Sequence, residues 1–470
     1  MKRFTVYIAS GLISMSMLSS CTKDYLDKKP VSKSEKATIE SLLQGAYDNL
    51  YDEYYTSDFL VNGDVAADNC YAGGDNAANF GIDKFSVNST NGNIKRDWGY
   101  LYTDIKNCNL IISLAADALT NDRGLTEKRR DQIVAEASFL RAWHYFNLIR
   151  SWKEVPVITA VPTDLASMYV GKKPAGEVYA FIIKDLEYAL AHIDDDKRIT
   201  DKKFATRGAI NALLAKVYAQ QPTSDWNKVV SYCDAVTAGG YDLVPDFNTL
   251  FQLSGKNSVE AIWETPFDGV VHQNWVTGMN TPFMWGDWKK FNIPSHSLVA
   301  AWDAEGDAVR KNASVKFVNV SWTDDYWAKS KPVPVIFKYN DPDGKSDTYR
   351  LRYADILLLK AEALTELNKL DNSVAGAQYY LNKVRHRAKL GDTPATTQAA
   401  LRLAIEKERQ MELAFEGHRW YDLVRTNRAI PVMNAQKDGD GKPLNYNVTA
   451  DKLYFPISQD EIDSNPNINK

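Results

Sequence analysis

Three glutamates at intervals of four, Glu408, Glu412 and Glu416, are the residues whose types and spacing first suggest chemistry. On one helix they would share a face, beside Arg409, His418 and Arg419, and a pair of carboxylates is the machinery of glycoside hydrolysis. The same residues also read as scaffolding. They sit among helix-core residues, arginines lie close enough to pair with them, and Gly417 would end the helix so that ion pairs brace the next element. Bracing is the expectation here, not catalysis. No phosphate-cradling glycine loop, G-x-S-x-G elbow or H-E-x-x-H zinc helix is present, and six scattered histidines suggest no metal site. No cofactor is expected. Two acidic stretches, Asp341–Asp347 and Asp438–Lys442, superficially resemble calcium loops but lack the regular oxygen spacing and terminal Glu of an EF-hand, so they read as tight turns.

The chain has 470 residues, 44% hydrophobic and 25% charged, with a net charge of −4. That balance, with no basic run after residue 3, argues against nucleic acid as a partner. Lys2 and Arg3 followed by the apolar run Phe4–Leu18 and then Ser19-Ser20-Cys21 have the layout of a lipoprotein export signal. Residues 1–20 would be removed and Cys21 acylated, anchoring the protein on a membrane rather than spanning it. Cys70, Cys108 and Cys233 form no C-x-x-C pattern and predict no disulfide scaffold, a Cys70–Cys108 bridge being the less favoured alternative.

The elements that must carry any site are helices arriving in pairs. Tyr353, Leu357, Ala361, Leu364 and Leu367 fall at helical spacing, and after a polar turn a second helix would bring Ala375, Tyr379 and Val384 inward. Ala209, Ala212, Ala215 and Ala219 give a small-residue stripe, followed by Ser224-Asp225 as N-cap and a helix stopped at Gly239-Gly240. Earlier pairs are expected at 36–55 with 97–118 and at 128–150 with 176–193. The fold class is therefore mostly α, with degenerate tetratricopeptide-like hairpins. The organisation expected is a signal (1–20), an N-terminal helical region (21–250), an irregular inserted subdomain (251–348) and a C-terminal helical region (349–470). Seven of the twelve tryptophans lie in the insertion: Trp263, Trp275, Trp285, Trp288, Trp302, Trp322 and Trp327. Individually each suits core packing; as a set they suggest a binding platform on loops.

Several segments, in order, resemble the SusD/RagB family of outer-membrane nutrient-binding lipoproteins. They are Cys21–Pro30, with Asp24 close behind the lipid site; Trp98, Tyr102, Ile105 and Asn109; Ala135–Ala142 with its Phe-Leu-Arg-Ala core; Ala205–Ala209; Arg350–Leu358; Leu381–Ala388; Glu408–Leu423; and Tyr454-Phe455-Pro456-Ile457. The resemblance implies a surface-exposed lipoprotein anchored in the outer membrane, which binds glycan without chemistry and hands it to a SusC-like TonB-dependent transporter. A peptide ligand for the same kind of transporter is the alternative, and a surface glycoside hydrolase a weaker one. It also implies a shallow ligand site built by an early loop, here Asn69–Phe80, and by the insertion. Within those regions residue chemistry selects Tyr71, Asp75, Asn76 and Asn79 for hydroxyl contacts, and Trp275, Trp285, Trp288 and Trp322 as rings for stacking.

Overall fold

The computed structural model describes residues 38–194, 201–274, 288–322, 325–327 and 332–469. Cys21, Trp275 and Trp285 lie outside them. Helices dominate: α1 (Ile39–Asp48), α2 (Ala77–Asp83), α3 (Gly92–Asn121), α4 (Glu127–Trp152), α5 (Leu165–Met168), α6 (Ala175–His192), α7 (Arg207–Gln220) and α8 (Trp226–Thr237) precede the insertion. Helices Tyr353–Glu366, Ala377–Arg387, Gln398–Glu412 and Arg419–Arg425 follow it. Most begin at a polar side chain that accepts an otherwise orphaned helix N–H. Thr38 serves Ser41, Asn91 serves Asn93 and Ile94, Thr126 serves Arg129, Thr206 serves Ala209 and Asp225 serves Lys228.

The helices stack in sequence, α1 on α3, α3 on α4, α4 on α6, α6 on α7, α7 on α8, and α8 on Tyr353–Glu366, which packs in turn on Ala377–Arg387. The expected pairs are present, and the alanine stripe of α7 is buried. One register differs. Gly376 caps the helix that starts at Ala377, so Ala377, Tyr380, Leu381 and Val384 face inward while Ala375 and Tyr379 are exposed. With the helix starting at Ala377, two residues beyond Ala375, the inward face takes Ala377 and Leu381 in place of Ala375 and Tyr379.

The central helix α4 is buried on every side from Ala135 to Trp152, which is why an amphipathic pattern does not show there. Several of its polar residues find partners on neighbouring elements: Glu136 accepts from Tyr47, and His144 bonds Tyr55. Arg141 grips Asp185 of α6 through two hydrogen bonds of 2.7 Å and donates a third to Asn109 of α3, so the Phe-Leu-Arg-Ala segment joins three helices. Asp104 of α3 is less well served. It is 1% exposed, 3.4 Å from His144 Nδ1, and burial, with Asp52 adding to it, pushes its carboxyl up to about 9. Cys70, Cys108 and Cys233 are buried free thiols.

Short antiparallel strands splice the insertion into this stack. Of these, β1 (Cys70–Ala72) pairs with β5 (Asn292–Pro294), β2 (Val155–Pro156) with β3 (Lys172–Lys173), β4 (Ala261–Thr265) with β8 (Thr348–Arg352), and β6 (Val315–Val318) with β7 (Val333–Ile336). The β4–β8 pair closes the insertion at its base, and helix Tyr353–Glu366 starts directly from β8. At that junction Arg352, 1% exposed, donates to Glu260 at 2.8 Å, to Glu412 at 2.7 Å and to Glu416 at 2.6 and 2.8 Å. Arg387 also pairs with Glu260 and Glu412, Arg310 with Asp307, Glu408 and Glu412, Arg385 with Glu408, and Lys338 with Glu416. The glutamates thus brace the structure, although their partners are these cations and not the neighbouring arginines: Arg409 pairs with Asp355 and Asp422, and Arg419 with Asp68. The helix also ends at Glu412, so Glu416 lies beyond it.

Removing one member of this network leaves a buried charge unpaired. Arg352→Met should lower unfolding free energy by about 3–5 kcal/mol, read from urea denaturation; a loss within error would mean the network is not energetically coupled. Asp104→Asn should act the other way. A carboxyl whose pKa rises on folding binds its proton more tightly in the folded state, so stability falls as pH climbs from the unfolded value near 4 toward 9. In melts between pH 5 and 9 the parent should lose stability relative to Asp104→Asn at a slope approaching ~1.4 kcal/mol per unit, whereas parallel curves would show that Asp104 ionises normally.

Candidate ligand-binding site

The loop Asn69–Phe80 is clamped from behind before it reaches the surface. Arg419 grips Asp68 with hydrogen bonds of 2.7 and 2.9 Å, and Gln410 adds another at 3.0 Å. Ser295 binds the Asp68 carbonyl through its hydroxyl, while its N–H donates to Asn69 O at 2.9 Å. From there β1 runs along β5, and the Gly73 N–H donates to Phe291 O at 3.1 Å. Glycine is required at the next two positions. A Cβ on Gly73 would stand 2.1 Å from the Lys290 carbonyl oxygen, and one on Gly74, whose φ is +69°, would meet the rings of Phe291 at 2.7 Å and Trp288 at 2.9 Å.

The rings that lie over this turn form a shelf. Trp288 and Phe291 meet edge to face with centroids 4.8 Å apart. Tyr71 stacks on Tyr326 at 4.0 Å, and His296 lies against Trp327 at 3.5 Å. Tyr71, Ile293, Val299, Trp327 and Val333 make a small core of their own, against which the half-buried Trp322 and Tyr326 pack. The Lys289 ammonium stands 5.4 Å from the Tyr71 ring centroid and 5.5 Å from that of Trp322, a cation held between two π-faces. Trp322 Nε1 is buried without an acceptor among the described residues. Asp75 is exposed on the turn. Half-exposed aromatic faces flanked by an ammonium and a carboxylate can stack on flat apolar surfaces and bond to hydroxyls around them.

The candidate residues fall into three groups. Asp75, Trp288 and Trp322 come together at the shelf. Tyr71 belongs to it from beneath, 5% exposed and supporting Tyr326. Asn76 and Asn79 turn their side chains to the fold itself: Asn76 caps α2 by accepting from Ala78 N at 2.9 Å, and Asn79, 2% exposed, accepts from Asn93 at 2.7 Å. Trp263 and Trp302 are core residues. Lys289, Phe291 and Tyr326 were not singled out from the sequence, although Lys289 and Phe291 flank Trp288 closely and Tyr326 precedes Trp327.

Two other candidate features resolve into structure. Asp341 and Asp438 use their carboxylates on backbone N–H groups within their own turns, at Asp343 and Lys345 and at Asp440 and Lys442. No group of three His, Cys, Asp or Glu able to hold a metal occurs among the described residues. A separate cleft of about 610 Å³ lies by the C-terminal Tyr454–Ile457 segment. Its Trp152 and Trp420 are each 4% exposed and packed on neighbouring rings.

Comparison with known proteins returns one family. A family model described as "SusD family" matches residues 337–470, and one described as "Starch-binding associating with outer membrane" matches residues 24–219. The chain is 26% identical to SusD-like protein P2 of Formosa agariphila, over 92% of this chain and 91% of that one. A SusD superfamily protein from Bacteroides vulgatus superposes with a TM-score of 0.77 at 21% identity, covering 92% of this chain and 97% of the other. A structure named as a laminarin binding SusD-like protein gives a TM-score of 0.71 at 24% identity, with the same coverage. The matched stretches carry the helix stack, the Asp68–Arg419 clamp and the glutamates of the buried network, and the similarity in fold runs through the insertion between them: the chain belongs to the SusD/RagB family.

Proposed function

We propose that this protein binds glycan at the shelf formed by Trp288, Phe291, Trp322 and Tyr326 and delivers it, without chemistry, to a SusC-like TonB-dependent transporter in the outer membrane. The observation that carries the reading is the Lys289 ammonium set between the Tyr71 and Trp322 rings, with Trp288 and Asp75 on the same loop pair. Flat rings suit the apolar faces of pyranoses, and the charged groups suit their hydroxyls. The printed name of the laminarin-binding relative supports the ligand class, and the name of the N-terminal family model supports the outer membrane. Support for a non-catalytic role comes from the glutamates of the C-terminal signature, which are committed to buried ion pairs.

Isothermal titration of the form lacking residues 1–21 against plant, host and microbial polysaccharides, with a peptide digest alongside, tests the ligand. One glycan class should bind, and Trp288→Ala or Trp322→Ala should each weaken it about tenfold, ~1.4 kcal/mol, with unchanged circular dichroism. Binding to peptide alone would replace the glycan reading, and full glycan affinity in both variants would move the site elsewhere.

Attachment through Cys21 is supported by the export-signal layout of residues 1–21, and no described helix is long and apolar enough to cross a membrane. In cell fractionation Cys21→Ala should shift the protein from the outer-membrane pellet to the soluble fraction. Retention in the pellet with normal processing would argue for an anchor other than lipid.

A further inference from the structure

A small pocket of about 20 Å³ is lined by α4, α7 and the helices Tyr353–Glu366, Gln398–Glu412 and Arg419–Arg425, on elements separate from the shelf, and much of its lining is charged. Lys216 pairs with Asp355, and Arg409 joins Asp355 at 2.7 Å and Asp422 at 2.8 Å. Arg425 bonds Asp422 at 2.9 Å and both oxygens of Glu362. Those three cations and three carboxylates balance. Arg150 does not fit into the balance. It is 4% exposed, lies between the rings of Phe146 at 4.4 Å and Tyr421 at 4.2 Å, and donates only to Phe146 O and Asn147 Oδ1. Among the described residues it meets no carboxylate, and its Nη1 has no acceptor. The His418 ring, 6% exposed, also lines the cavity without a hydrogen bond among the described residues.

An uncompensated guanidinium in such surroundings costs several kcal/mol unless a counter-charge reaches it. The rings of Phe146 and Tyr421 lie against Arg150, which itself lines the cavity. A cavity of this size holds one species of about the size of water, which excludes phosphate, carboxylic acids and sugars. We propose that the cavity is a site for a single monatomic halide, chloride in the cell, held by Arg150 with Lys216 and Arg409 around it. A neutral His418, pushed down to about 3 by burial and by Lys216, leaves the anion facing Arg150 as the group that closes the charge balance. The site is independent of whatever the shelf binds.

The test uses bromide as the probe. Crystals of the form lacking residues 1–21, grown or soaked in sodium bromide at tens of millimolar, should show an anomalous peak within hydrogen-bond reach of Arg150 Nη1. Melting midpoints should be about 2 °C higher in chloride or bromide than in gluconate at equal ionic strength. Arg150→Met should abolish the peak and the difference between salts, a comparison that holds even if the variant is less stable overall. An ordered water without anomalous signal, or a bromide peak only at molar concentration with coincident melts in all three salts, would overturn the proposal.

Discussion

Taking the Arg352 guanidinium out of water is tolerable only because each of its five N–H groups meets an oxygen. Nε and one Nη2 hydrogen bind the Glu416 carboxylate, the second Nη2 hydrogen binds the Glu412 carbonyl, and Nη1 serves Glu260 and Glu412. These acceptors come from the base of the insertion, the end of helix Gln398–Glu412 and the turn beyond it. Arg310 and Lys338 then bring two further points of the insertion to the same carboxylates. Low dielectric makes each pair strong when complete and each gap expensive. The arrangement therefore penalises any fold in which one of these segments is out of place.

The shelf depends on this lattice at one remove. Glu416 and Gly417 pass close to the N-terminal segment: Gly417 N donates to Asp64 at 2.8 Å, and a Cβ on Gly63 would stand 2.3 Å from Gly417 O. Two residues on, Arg419 takes hold of Asp68, which begins the loop that pairs with β5. The C-terminal signature thus sets the position of a loop some 350 residues earlier in the chain, and the insertion is pinned at its base by β4–β8 and at its side by β1–β5. Rings mounted on two strand pairs and a buried clamp can present a fixed surface, which is what a shallow site needs when it encloses little of its ligand.

What was legible in the sequence follows the range of the interactions. Helix pairs with repeating apolar positions and short polar turns were readable because their signals are local; the α7–α8 hairpin came with its alanine stripe, Asp225 cap and glycine stop. The phase of helix Ala377–Arg387 was missed because its start depends on Gly376 and the turn before it. That Glu408, Glu412 and Glu416 brace the fold could be judged from composition, yet their upstream partners Arg310, Lys338 and Arg352 lie up to 102 residues away, and nothing in the neighbourhood of the glutamates names them. In the shelf, residue type selected Asp75, Trp288 and Trp322 but also Asn76 and Asn79, whose amides are equally able to cap a helix or satisfy Asn93. Only the geometry separates these uses.

The same lattice bears on whether Glu408, Glu412 and Glu416 can serve as acid and base. A general acid must hold its proton near working pH and release it to a substrate. For Glu412 burial would favour that proton, but Arg387, Arg352 and Arg310 outweigh it and hold the carboxyl well below the usual range. Glu416 is held low by Arg352 and Lys338 against the same burial. Glu408 is raised by burial, yet both its oxygens face guanidinium groups, Arg310 at 2.7 Å and Arg385 at 3.1 Å, and it is fully buried. The features that most invite a catalytic reading of this sequence, closely spaced glutamates beside arginines, are the ones that remove these groups from proton transfer: each cation that stabilises the buried carboxylates also occupies the space a sugar would need to reach them.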